Sequence, residues 1–159
     1  MQGNHASAVL VALGLPFALS IGPAYAGEKT LEFQLVTKYL DLRTLDAPNV
    51  EGQTIGQGKA FGVAVFKDGR IGTKDFIFAR DGHKGGGTYY GYSTYNFDEG
   101  SITARYTGSY DSQGSHCDYK ILSGTGTYAG ATGSGTCDSV PNPFKDTGLY
   151  RVKLQIVTP

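Results

Sequence analysis

No sign of charge dominates this chain. Its 14 basic and 14 acidic residues cancel, and no block of like charge is present, so it has no electrostatic footprint for nucleic acid or an anionic membrane. The mature part lacks a helical apolar period sustained over three turns. It also lacks an internal repeat of useful length, which excludes a bundle or a solenoid. Only His83 and His116 remain beyond the N-terminal segment, without ligand-type spacing, so a metal centre is not expected. Gly124-Thr125-Gly126 fits neither nucleotide-loop spacing and no helix follows it. Ser134 lacks the glycine two residues before it that a nucleophile elbow has. No cofactor is implied.

The first 26 residues contain no Lys, Arg, Asp or Glu. Val9–Ile21 is an apolar run too short, and too interrupted by Gly14 and Pro16, for a comfortable membrane span. It leads into Ala24-Tyr25-Ala26, a small-residue cleavage pattern. Residues 1–26 therefore read as a signal peptide, an uncleaved anchor being the alternative. Residues 27–159 read as one domain exported to a periplasm or the cell exterior, with no membrane attachment after cleavage. Cys117 and Cys137, an even count in an exported chain, read as a disulfide rather than two free thiols, since there is no Cys-x-x-Cys spacing. With the turn near Thr127 the two sulfurs face each other across one hairpin. Closing a loop of about 20 residues is worth roughly 3 kcal/mol.

What the chain has in quantity is glycine, 24 residues against 6 prolines. The glycines stand between β-branched and aromatic runs, which favours many short strands with tight turns. The strand candidates are Thr30–Arg43, Gly56–Asp68, Arg70–Arg80, Gly87–Phe97, Ser101–Tyr110, His116–Ser123, Ala129–Asp138 and Gly148–Thr158. Asp68-Gly69, Asp81-Gly82, Asp98-Glu99-Gly100 and Ser112-Gln113-Gly114 supply hairpin turns. The pattern predicts an all-β fold, an eight-stranded antiparallel up-and-down barrel, with a two-sheet sandwich as the alternative. In the second strand Phe61, Val63 and Val65 alternate with Ala60, Ala64 and Phe66, so both faces are apolar and a homo-oligomer would cover the outer one.

Asp41 is the candidate acid or base: it keeps phase with Leu31, Phe33 and Leu35, a face where desolvation would raise its pKa. The alternative is a solvated Asp41 at the strand end, paired with Arg43. Tyr39 shares the apolar phase, and Tyr92, Tyr106 and Tyr150 add aromatic surface with a polar handle suited to a lumen and a planar ligand. Arg80, in parity with Phe76 and Phe78, could hold a carboxylate or phenolate, whereas Arg105 alternates with Ala104 and Tyr106 and points outward.

The segments Tyr92–Tyr106 (YSTYNFDEGSITARY) and Ile121–Gly135 (ILSGTGTYAGATGSG) resemble the allene oxide cyclase and dirigent superfamily of calycin-like barrels. The first matches an aromatic strand, an acidic-Gly turn and an Ile-Ser/Thr strand. The second matches a Thr-Gly-x-aromatic-x-Gly-Ala-x-Gly signature. The resemblance implies a homotrimer whose barrel lumen binds an apolar or phenolic small molecule. It also implies guidance of an isomerisation, cyclisation or stereoselective coupling, with a non-catalytic carrier or a structural trimer as the alternative. Lys38 and Leu40 stand where the cyclases carry glutamate and asparagine, and Gly62 or Val63 where they carry cysteine, whereas Asp41 matches the dirigent aspartate.

Overall fold

Alternation of side chains between two faces lets a ribbon bury one face and present the other outward, and eight such ribbons close on themselves here. The computed structural model describes residues 27–159; the expected signal peptide lies outside the described residues. The strands are β1 (Gly27–Asp46), β2 (Gln53–Phe66), β3 (Ile71–His83), β4 (Gly86–Phe97), β5 (Gly100–Asp111), β6 (Gly114–Gly124), β7 (Thr132–Ser139) and β8 (Thr147–Thr158). Each pairs antiparallel with its sequence neighbour and β8 returns to β1, giving a closed barrel without a free edge. The sandwich alternative is thereby excluded. No described helix is long and apolar enough to cross a membrane.

Three of the four expected turns fall where the glycines place them. Asp81-Gly82 does not turn: β3 runs through it, and the hairpin reverses at Lys84-Gly85, both with positive φ (48° and 89°). Two successive positive-φ residues make the primed turn whose twist suits adjoining strands. The seventh strand starts at Thr132 rather than Ala129, because Gly126–Tyr128 forms a short 3-10 turn.

The two ends of the barrel differ. The end carrying Gly27 and the β2–β3, β4–β5 and β6–β7 connections is filled with rings. Phe33 meets Phe66, Tyr95 and Phe97 at centroid distances of 5.1, 5.4 and 6.2 Å, and Phe97 meets Tyr128 at 6.0 Å. Tilted and edge-on pairs of this kind add about 0.5–1.5 kcal/mol each beyond their area burial. A polar latch closes this plug from outside: Glu99 Oε1 receives Tyr128 Oη at 2.7 Å, Lys29 Nζ at 3.1 Å and an Arg70 Nη1 at 3.2 Å. The disulfide joins directly opposed residues of β6 and β7, Cys117 and Cys137, with Cα atoms 5.0 Å apart, as the hairpin geometry implies. A disulfide suits an oxidising compartment.

The Tyr128 hydroxyl, helped by Lys29, holds the Glu99 carboxyl down at about 2. A carboxylate depressed below its unfolded value adds stability that is present above about pH 4.5 and disappears as pH falls towards 2. Glu99→Gln should lower stability at pH 7 by about 1–2 kcal/mol, the pairs being partly screened. Urea unfolding at pH 7 and pH 3 should show the wild type losing more on acidification than the variant; equal losses would refute the latch.

Candidate ligand-binding site

At the opposite end the barrel is hollow. A cavity of about 200 Å³ opens there, lined by Leu35, Thr37 and Tyr39 of β1 and by Lys74, Phe76, Phe78 and Arg80 of β3. Tyr89, Tyr106, Tyr110, Tyr119 and Tyr150, with Ser115 and the two cysteines, complete the wall. At ~30 Å³ per water the space holds about seven waters, the bulk of one substituted aromatic ring.

Around the hollow, large inward side chains lie across glycines of the neighbouring strand, which gives them room to fold against the wall. Arg80 faces Gly56, Phe78 faces Gly58, Tyr106 faces Gly91 and Tyr89 faces Gly108, each as a direct cross-strand partner. A Cβ on Gly91 would collide with the Tyr106 hydroxyl and the Ile77 carbonyl, which are hydrogen bonded to each other at 3.0 Å. A Cβ on Gly108 would come within 2.6 Å of the Tyr89 ring and hydroxyl. Tyr89 uses that room to reach Ser115 Oγ at 2.7 Å and the His116 carbonyl at 3.1 Å. The rings thus lie along the wall and are fixed at their hydroxyl ends, leaving the axis open.

Lys74 stands at the floor. It projects inward from β3, 3 % exposed. Its Nζ lies 4.5 Å from the Phe76 centroid, 4.9 Å from Tyr106, and 5.1 Å from both Tyr95 and Tyr119. Its polar partner is Tyr119 Oη at 2.8 Å, and Tyr95 donates to the same oxygen at 2.9 Å. Burial disfavours the ammonium and pushes Lys74 down to about 7. Burial likewise holds Tyr95, Tyr106, Tyr119 and Tyr150 above the usual phenol range, so all four stay protonated at neutral pH. As an ammonium, Lys74 donates to Tyr119. As a free amine it can instead receive the Tyr119 proton, giving a head-to-tail chain from Tyr95 through Tyr119 to nitrogen. The floor therefore holds an amine that burial makes easier to deprotonate, bounded by four π faces.

Of the residues singled out from the sequence, Tyr39, Arg80, Tyr106 and Tyr150 line this cavity. Arg80 sits towards its mouth, where an Nη2 donates to Thr44 Oγ1 at 2.9 Å and the buried Nε has no partner among the described residues. Two placements are corrected. Asp41 does not share the apolar face, because β1 shifts register between Tyr39 and Asp41, leaving Leu40 as the extra residue. The bulge inverts the alternation. Asp41 then sits opposite Lys59, on the outer wall, its side chain 55 % exposed and 3.7 Å from Arg43. Tyr92 also faces outward, 46 % exposed, between Ile77 and Arg105. The pairing of Asp41 with Arg43 is the alternative considered above.

Lys74 is the residue that sequence reasoning overlooks. The signal was present: Lys74 has the same parity as Phe76, Phe78 and Arg80, so after Gly72 the first side chain on an inward strand face is a lysine. Among the described residues no cluster of three or more His, Cys, Asp or Glu is arranged to hold a metal ion.

Solved structures carry the same architecture. The chain is similar to a pterocarpan synthase dirigent protein, with 13 % identity over 90 % of this chain and 98 % of that one and a TM-score of 0.57. The fold is that of the dirigent-like barrels. The same fold is found in a nonspecific heme-binding cyclase that catalyses a (4 + 2) cycloaddition during neoabyssomicin biosynthesis, with 21 % identity over 85 % of this chain and 68 % of that one and a TM-score of 0.58. It recurs in an exo-specific intermolecular Diels-Alderase, at 13 % identity over 83 % of this chain and 99 % of that one, with a TM-score of 0.53. No protein-family profile and no curated protein matches the sequence. The barrel expected from the two glycine-rich segments is thus met at the level of fold.

Keeping an amine uncharged in the floor costs folding energy. From about pH 10 down to 7 the unfolded lysine gains a proton that the folded one resists, so wild-type stability should rise with pH across this window. Replacing Lys74 with Met, similar in volume and without the charge penalty, should stabilise the protein at pH 7 by about 1–3 kcal/mol and flatten that rise. Chemical denaturation at pH 7 and 9.5 checks both; a destabilised Lys74→Met variant would count against a desolvated amine.

Proposed function

We propose that this barrel binds a small aromatic, phenolic molecule in its open-ended cavity and steers an isomerisation, cyclisation or coupling of it. One observation carries the reading: a ring-sized hollow whose floor presents the Lys74 amine and Tyr119 hydroxyl while its wall presents π faces. An aromatic ligand would stack against Phe76, Tyr106 and Tyr150 and set an oxygen against the floor. Tyr39 and Arg80 would close over it at the mouth. Such a site acts by shape and by proton placement rather than by a strong anionic base, since no carboxylate among the described residues lines it. Three of the solved structures of this fold are described as a pterocarpan synthase, a cycloaddition-catalysing cyclase and a Diels-Alderase, which supports the same class of role.

Export and assembly belong to the same proposal. The apolar N-terminal run and the disulfide support secretion into an oxidising space. A homotrimer is supported by the apolar strip that Val36, Phe61, Val63, Val65 and Ile77 form on the outer wall of β1–β3. The strip also favours the alternative in which the barrel is a binding or structural trimer without turnover.

A single-ring phenol, 4-methylphenol, should bind saturably with one site per barrel in titration calorimetry. Lys74→Met should weaken it about 5- to 10-fold, the loss of one hydrogen bond of about 1 kcal/mol, while Tyr92→Ala on the outer wall leaves it unchanged. Absence of saturable binding, or equal effects of the two substitutions, would overturn the reading.

A further inference from the structure

We propose that Lys74 captures a carbonyl carbon, so that the molecule taken up in the cavity is an aromatic aldehyde or ketone held on the protein as an imine. This deepens the preceding reading and rests on it. Three features of the geometry converge. The amine lines the hollow at the end of the inward series that runs along β3 through Phe76 and Phe78 to Arg80 near the mouth. Its surroundings are rings and two protonated tyrosines, and among the described residues no carboxylate pairs with it. Burial holds it near 7, so about half of the molecules carry a free amine at neutral pH, against roughly one in a thousand for a solvated lysine.

The tyrosine chain supplies the proton traffic that the step needs. The Lys74 lone pair attacks the carbonyl carbon, and the C–O π electrons move to oxygen. Tyr119, 2.8 Å from the amine, gives its proton to that oxygen and takes one back from the nitrogen. Tyr95, 2.9 Å behind it, donates to the Tyr119 oxygen and stabilises the transient phenolate. Tyr119 then protonates the hydroxyl of the resulting carbinolamine while the nitrogen lone pair forms the C=N bond and expels water. The remaining N–H proton returns to Tyr119, leaving a neutral imine, or stays on nitrogen. No oxidant, reductant or metal enters the balance. The product is a cationic iminium when protonated, and the rings of Phe76, Tyr106 and Tyr95 already surround the nitrogen at cation–π distance. An iminium conjugated to an aromatic ring withdraws electrons from its neighbours. That is the activation a cyclisation or isomerisation of such a substrate requires.

The test uses the folded, disulfide-bonded domain and 4-hydroxybenzaldehyde, with sodium cyanoborohydride to reduce any imine to a stable amine. Peptide mapping by mass spectrometry should place the adduct on Lys74 ahead of the exposed lysines. Labelling should reach half its maximum near pH 7, against about 10 for a solvated lysine. Lys74→Met should abolish that adduct, and Tyr119→Phe should slow it at least 10-fold without abolishing binding of 4-methylphenol. Should Lys74→Met misfold, the Tyr119→Phe rate and the pH midpoint decide the matter alone. Labelling confined to exposed lysines, or a Lys74 midpoint near pH 10, would overturn the imine. If 4-methylphenol binds but Lys74 stays unlabelled, the carbonyl proposal fails and the binding reading stands. If neither compound binds, both fail.

Discussion

Everything at the open end of this barrel depends on one unfavourable burial. The Lys74 amine lies where water is replaced by the faces of Phe76, Tyr95, Tyr106 and Tyr119, and one hydroxyl contact offsets part of its desolvation. A full charge there would cost several kcal/mol, so the group titrates where neutral pH can move it. The surrounding tyrosines are pushed the opposite way by the same desolvation and hold their protons. An amine that burial makes easier to deprotonate and phenols that burial keeps protonated at neutral pH are thereby set within hydrogen-bond reach.

Around the open end, large inward side chains are paired with glycines. Where a strand places Tyr89, Tyr106, Phe78 or Arg80 inward, its neighbour places glycine opposite, and the side chain folds down along the wall. At the other end Phe97 likewise lies across a glycine, Gly72, but there Phe33, Phe66, Phe97 and Tyr128 meet at the axis and fill it, with Glu99 latching the outside. One sheet therefore supplies a solid half, which carries stability, and a hollow half, which carries an energetic cost. A disulfide between β6 and β7 lines the hollow half, where packing contributes least.

Glycine density and strand parity made the fold readable, because turn chemistry and two-residue alternation are local. All eight strands were expected within a few residues of their observed bounds. Local rules failed where a non-local pairing intervened. Asp81-Gly82 has turn composition, yet its pairing with Thr54 and Ile55 of β2 keeps it extended. Asp41 has the parity of Leu35, yet one extra residue at Leu40 turns it out to Arg43, and only the register with Lys59 reveals this. The in-strand glycines carry a second meaning, room for a cross-strand ring, that composition does not distinguish from a turn. Lys74 was legible in principle, since it leads the inward series through Phe76, Phe78 and Arg80; a charged residue at that parity is the mark to look for.

The most direct measurement is an NMR titration of the Lys74 side chain in protein labelled at lysine Cε, assigned through Lys74→Met. A midpoint near 7, displaced below those of the exposed lysines, is the expected result. A midpoint at or above 10 would mean a solvated or ion-paired ammonium, and the neutral floor of the cavity would not exist.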